Sequence, residues 1–211
     1  MSERQSQIVD AAMRIIATKG SRRFTAQLLA TEIGVTGGAI YRHFESMDAI
    51  VDAVVERMGA MLFDGFPPKA FDPIERLKVF FHHRARTILT NPHISRLLLS
   101  DHLTQAGGPA QAKRLKEFKR RSQAFVVNCL REAQQHGRLS GDISPEAGAV
   151  IVLGSILSLS HASARVTVEA KVEQLFDEVW SAIERTLRGQ RPSGAPKEQP
   201  RRPRRRENKK G

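Results

Sequence analysis

Residues 24–44, Phe24-Thr25-Ala26-Gln27-Leu28-Leu29-Ala30-Thr31-Glu32-Ile33-Gly34-Val35-Thr36-Gly37-Gly38-Ala39-Ile40-Tyr41-Arg42-His43-Phe44, decide how this chain is organised. Leu28, Leu29 and Ile33 recur at the spacing of one helix face, and Gly34 stands where a helix needs a left-handed terminating residue. Val35 can plug the angle between two helices. Thr36 is placed to accept a backbone N–H as N-cap of a second helix, whose Ile40 and Phe44 fall four apart on one buried face. That leaves Thr36, Gly37, Ala39, Tyr41, Arg42 and His43 outward. The layout is that of a helix-turn-helix, which inserts its second helix, N-terminus first, into the major groove of DNA.

The run Ile33-Gly34-Val35-Thr36-Gly37-Gly38-Ala39-Ile40-Tyr41-Arg42-His43-Phe44-Glu45-Ser46 resembles the signature of the TetR/AcrR family of bacterial transcriptional regulators. The resemblance is close over residues 5–60 and extends to the remainder only in general plan. It implies an all-α chain of about nine helices, with an N-terminal three-helix helix-turn-helix head and a C-terminal helical body for ligand binding and dimerisation. The family commonly has a lysine meeting a phosphate just after the serine that follows the Tyr-x-x-Phe segment, and here that position is Met47.

The 211 residues, 40% of them hydrophobic, can bury a core of one large or two small domains. Of the formal charge of +12, a net +7 sits in residues 189–211, where nine Lys or Arg face Glu198 and Glu207 alone. Residues 1–60 are neutral in sum but polarised. Lys19, Arg22, Arg23 and Arg42 surround the turn, whereas Asp48, Asp52 and Glu56 follow it. Cys129 is the only cysteine, which excludes an intrachain disulfide and a thiolate metal cluster and fits a reducing compartment. The first residues form no apolar signal region, and the apolar stretch 147–164 holds four serines and a histidine, so a buried helix is expected there rather than a membrane span. The expected location is cytoplasmic and nucleoid-associated.

Along the chain nearly every segment carries helical periodicity. Ile8, Ala11, Ala12, Ile15 and Ile16 form the stripe of a first helix, and Ser46 can cap a fourth through Ile50, Val51, Val54 and Met58. Gly65-Phe66-Pro67-Pro68 marks the junction between a head over 1–62, with its motif at 24–44, and a body over 69–188. In the body, Asp72-Pro73-Ile74-Glu75 starts a helix running to Thr90, a short helix follows Asn91-Pro92, and a long one spans about Gln111 to His136. Ser144-Pro145-Glu146 starts a helix apolar nearly all round, and a last helix spans about Val168 to Leu187. This terminal pair is the expected dimer interface through Leu153, Ile156, Leu157, Phe176, Val179 and Ile183, meeting its copy in a four-helix bundle. From 189 on, Pro, Gly, Arg and Lys without apolar anchors predict a disordered basic tail that attracts phosphates without sequence preference.

The expected DNA contacts are Arg22, Thr25 and Gln27 at the amino end of the first motif helix, and Thr36, Gly37, Gly38, Ala39, Tyr41, Arg42 and His43 in the second. Tyr41 and His43 are contacts implied by the resemblance. Gly37 supplies no side chain to read a base, and Ala39 can touch only a thymine methyl, so DNA shape should carry more of the specificity. A body cavity is expected around Phe80, Phe81, Ile88, Leu98 and Phe125, with a polar lining from His83, Arg84 or Asn128. Lys113, Arg114, Lys116, Lys119, Arg120 and Arg121 form a basic cluster on the long helix, read first as a solvated face.

The scattered histidines lack ligand spacing, so neither a metal nor a cofactor is expected, and no nucleophile, base and orienter set supports catalysis. The expected partners are double-stranded DNA, a second copy of the chain and a small-molecule effector, with no membrane. The leading reading is a homodimeric repressor released from its operator by that effector. The first alternative is a DNA-bound factor of the same fold acting through a protein partner, of the nucleoid-occlusion type. The remote one is a helical small-molecule-processing enzyme.

Overall fold

The computed structural model describes residues 1–162 and 169–189, and the basic tail from residue 190 lies outside them. The described residues form ten α-helices and one 3₁₀ turn, with no strand. In order these are α1 (Glu3–Lys19), the 3₁₀ turn (Ser21–Arg23), α2 (Ala26–Glu32), α3 (Gly37–Ile40), α4 (Met47–Leu62), α5 (Pro73–Thr90), α6 (Pro92–Leu99), α7 (His102–Ala106), α8 (Pro109–Gln135), α9 (Pro145–Ala162) and α10 (Glu169–Leu187). The count exceeds the expected nine by α7, a five-residue helix in Asp101–Gly107, a stretch too short to show a helical period.

Helix ends fall where side chains can satisfy the free backbone donors. Ser2 and Gln5 close a reciprocal capping box on α1, and Ser46 Oγ accepts from Ala49 N at the start of α4. Asp72 Oδ1 accepts from Ile74 N at 2.7 Å ahead of Pro73, and Ser144 Oγ accepts from Ala147 N at 3.1 Å ahead of α9.

Head and body share one core. The stripe of α1 (Ile8, Val9, Ala12, Ile15, Ile16) is buried against Leu29, Ile40, Ile50, Val54 and Met58, each large side chain contributing about 1.5–3 kcal/mol by leaving water. The other side of α1 packs on α6 and α7 of the body. Polar links reinforce the joint: Gln111 Nε2 donates to Asp52 Oδ1 at 2.9 Å, and Arg114 pairs with Glu56 at 3.3 Å. Gly59 permits the close approach of α4 to α8, since a Cβ there would come within 2.8 Å of the Phe118 ring. Just ahead of the proline pair, Phe63 and Phe66 join Phe80 and Phe125 in an aromatic cluster, with Phe66 and Phe125 centroids 4.9 Å apart. On the far side Phe81 meets Trp180 at 5.6 Å, which seats α10 on α5.

The terminal pair differs from expectation in which face it offers. Ile156, Phe176 and Ile183, expected at a dimer interface, are buried in the protomer's own core, and Leu153 and Leu157 are turned toward an internal cavity. Of the six expected residues only Val179 borders the outward apolar groove, together with Val150, Ile151, Gly154, Ser155, Ser158 and Leu175. The physical reason is that α9 is apolar on every side, so periodicity does not tell its inner face from its outer one.

Candidate nucleic-acid interface

The motif is built from a helix, a glycine pivot and a single helical turn. Thr25 caps α2, its hydroxyl accepting from Leu28 N at 3.2 Å. Gly34 takes φ +70°, the left-handed conformation that closes α2, and Val35 N donates back to Ala30 O at 2.9 Å. Thr36 occupies the N-cap position of α3, but its hydroxyl makes no capping bond there, contrary to expectation; Ala39 N instead bonds the Thr36 carbonyl at 3.0 Å. With an exposed hydroxyl not engaged in capping, Thr36 remains available to a phosphate or base. Ile40 is fully buried and Phe44 packs against the same core, which fixes the turn's rotation.

That rotation places the expected contact residues on one surface. Arg22, Thr25, Gln27, Thr36, Gly38, Tyr41 and Arg42 are exposed, whereas Gly37, Ala39 and His43 are half-buried. Tyr41 is 51% exposed, a large fraction for an aromatic with no structural task. Gln27 Oε1 lies beside Gly37, 3.5 Å from where a Cβ would stand, so a small side chain at 37 would rest against Gln27 in ordinary van der Waals contact. The His43 carbonyl accepts from Gln5 Nε2 at 3.2 Å, which ties the end of the recognition turn to the start of α1. Arg23, counted from sequence only toward the charge of the turn, is exposed beside Arg22 in the 3₁₀ turn, and neither forms an ion pair among the described residues. Lys19 does pair, with Glu32 at 3.6 Å, as does Arg14. Among the described residues, the cations left to this surface are therefore Arg22, Arg23 and Arg42. Met47 packs against the core as the first residue of α4 and offers no charge to a phosphate.

Below the head lies a cavity of about 300 Å³, partly open to solvent, lined by residues of α4, α5, α6, α8 and α9. Of the side chains expected there, Arg84, Ile88 and Leu98 line it. Phe80 and Phe125 stand behind it in the aromatic cluster, Phe81 packs on Trp180, and His83 is half-buried off the lining. Asn128 is exposed and accepts from Arg131 at 3.1 Å. The lining not foreseen comes from Leu62 at the end of α4, Phe118, Ser122 and Gln123 on α8, and the inner face of α9. The cavity is not fully enclosed, because its rim is formed by exposed Leu99, Lys119 and Gln123. The basic cluster of α8 is partly spoken for: Arg114 by Asp52 and Glu56, Arg120 by Glu117 at 2.7 Å, and Arg121 by stacking on Phe63 at 4.3 Å.

Residues 8–54 match the profile described as bacterial regulatory proteins, tetR family. Over those residues the chain carries the DNA-binding head of TetR-type regulators. Its relatives include the nucleoid occlusion factor SlmA of Vibrio campbellii, 24% identical over 191 residues, covering 86% of this chain and 94% of SlmA. Among solved structures it is similar in fold to AibR in complex with isovaleryl coenzyme A and operator DNA (TM-score 0.67, 20% identity, 88% and 98% of the two chains). It is likewise similar to the ketosteroid transcriptional regulator KstR2 of Mycobacterium tuberculosis (TM-score 0.72, 15% identity, 89% and 96%). The TetR-type head thus coincides with the exposed surface built by α2, α3 and the 3₁₀ turn. No helix among the described residues is long and apolar enough to cross a membrane, and none of their His, Cys, Asp and Glu form a metal-binding group.

Proposed function

We propose that this regulator is a homodimeric, cytoplasmic and nucleoid-associated repressor that leaves its operator when a small molecule enters the body cavity. The observation that carries the reading is the path of α4. This 16-residue helix is capped by Ser46, just after the recognition turn, and its last residue, Leu62, lines the cavity. A helix of that length spans about 24 Å as one rigid element. Leu98 of α6 lines the same cavity, and α6 packs on α1, so an occupant meets two elements that bear on the head. Filling the cavity favours one placement of α4 and α6, and two heads so placed no longer match successive major grooves about 34–36 Å apart. Regulation rather than catalysis is supported by the match of the head to the profile of bacterial regulatory proteins, tetR family.

The experiment is to recover bound sites from the genome, then follow release of one such site on adding candidate compounds. Release by a compound that also raises the melting temperature of the DNA-free protein is the expected result. A second reading, DNA-bound action through a protein partner, is favoured by similarity to SlmA over almost the length of both chains. A protein that no compound releases, but that captures a specific protein only when on DNA, would establish that second reading.

A further inference from the structure

We infer that the body cavity is built to take a small apolar carboxylate, held by Arg84. The inference rests on the effector reading above and specifies the chemistry of that effector. Arg84 lines the cavity from α5 and is only 6% exposed. Its guanidinium carbon lies 5.0 Å from the ring centroids of both Phe63 and Phe80, which satisfies the faces of the cation. The in-plane donors are not satisfied: Nε and Nη2 are buried without a hydrogen-bond partner among the described residues. Such a group is costly to bury unless something arrives to accept its protons.

The surroundings sharpen the charge requirement. The neighbouring cation is Arg121, which stacks on the same Phe63 ring at 4.3 Å and repels Arg84. Burial, with that repulsion added, pushes the Arg84 pKa down to about 10, so it is still a cation at neutral pH. A carboxylate accepts two parallel N–H bonds from a guanidinium fork in one plane, a geometry that leaves the ring faces undisturbed. One buried positive charge matches a monoanion. A phosphate dianion would call for a second buried cation, and both Arg121 and Lys119, the lysine on the cavity rim, are exposed. The remaining lining is chiefly hydrocarbon, including Leu62, Ile88, Leu98, Phe118 and Ile156. At about 300 Å³ the space is at the lower end of ligand sites, suited to a medium alkyl chain or an aromatic ring and too small to enclose a nucleotide.

The test is isothermal titration of the full-length, DNA-free protein at pH 7.5 with octanoate and decanoate, with the matched alcohols 1-octanol and 1-decanol, and with octanoyl-coenzyme A. The acids are expected to bind one per protomer and about tenfold more tightly than the alcohols, the difference a charged hydrogen-bonded pair supplies. Arg84→Met should abolish the difference while retaining alcohol binding, and Arg84→Lys, which keeps the charge without the fork, should retain part of it. Acids no tighter than alcohols, a difference that survives Arg84→Met, octanoyl-coenzyme A bound more tightly than octanoate, or no binding of either series would each overturn the assignment. Alcohols that bind as well as acids and dislodge DNA would leave the effector reading standing while the carboxylate falls.

Discussion

Tyr41 and Arg42 are the side chains on which DNA recognition should depend most visibly, because both are exposed, neither carries an ion pair among the described residues, and the buried anchor of their turn is Ile40. Tyr41→Ala and Arg42→Ala are each expected to weaken binding to a selected site by about 1–3 kcal/mol while leaving helicity and melting temperature unchanged. Gel shifts and thermal melts on the same preparations check this, and unchanged affinity in both variants would displace the proposed reading surface. The exposed character of these residues was legible from the spacing of Ile40 and Phe44. What the Thr36 hydroxyl does was not, because occupying a cap position and making the capping bond are separated by a side-chain rotation that no spacing encodes. Three histidines make a further claim. Burial lowers the pKa of His82, His83 and His93, so the folded state binds fewer protons than the unfolded chain just below the ordinary histidine value of 6.5. Stability contributed by their neutral forms is therefore present at higher pH and lost as pH falls through 6.5 toward the folded values. Melts at about pH 7.5 and about pH 5.5 should show the lower temperature at the acid end, and a combined substitution of the three by glutamine should narrow the gap.

Among the helices, α9 is where sequence and structure part most. Its start was readable from Ser144-Pro145 and its burial from its composition, yet its rotation was not. The helix serves the cavity with Leu153, Ile156 and Leu157, and the outward groove with Val150, Gly154 and Ser158. Val150, 70% exposed, and Val179 across the groove are the positions through which two copies would meet. Val150→Glu should yield soluble monomer with an intact fold, whereas Ile156→Glu buries an unpaired charge at a cost of several kcal/mol and should not fold. Light scattering and circular dichroism separate the two outcomes; a stable dimer in Val150→Glu would place the interface elsewhere. The cavity was legible in part for the same reason. Arg84, Ile88 and Leu98 lie on helices with a clear polar face, and the aromatics were misjudged because Phe66, from the inter-domain segment, draws Phe80 and Phe125 away from the lining.

For the molecule as a whole, the head sits directly on the body, joined by a continuous core and by the rod of α4, so that in the proposed mechanism cavity occupancy would reach the DNA-binding surface through packed elements rather than a linker. The basic tail is expected to add a second, nonspecific attraction from its charge alone. Removing residues 190–211 should weaken binding to selected and random DNA by similar factors, and should flatten the slope of log affinity against log salt by about 0.9 for each phosphate the tail no longer neutralises. Loss of site preference with random-DNA binding intact would make the tail a reader. The most direct measurement is a footprint of the full-length protein on genomic fragments, repeated with Tyr41→Ala. A DNA-reading dimer should protect a small set of sites with two related half-sites about one helical turn, 34–36 Å, apart, and the variant should lose them. Uniform protection without preferred sites, or preferred sites that survive Tyr41→Ala and Arg42→Ala alike, would contradict recognition through this helix-turn-helix.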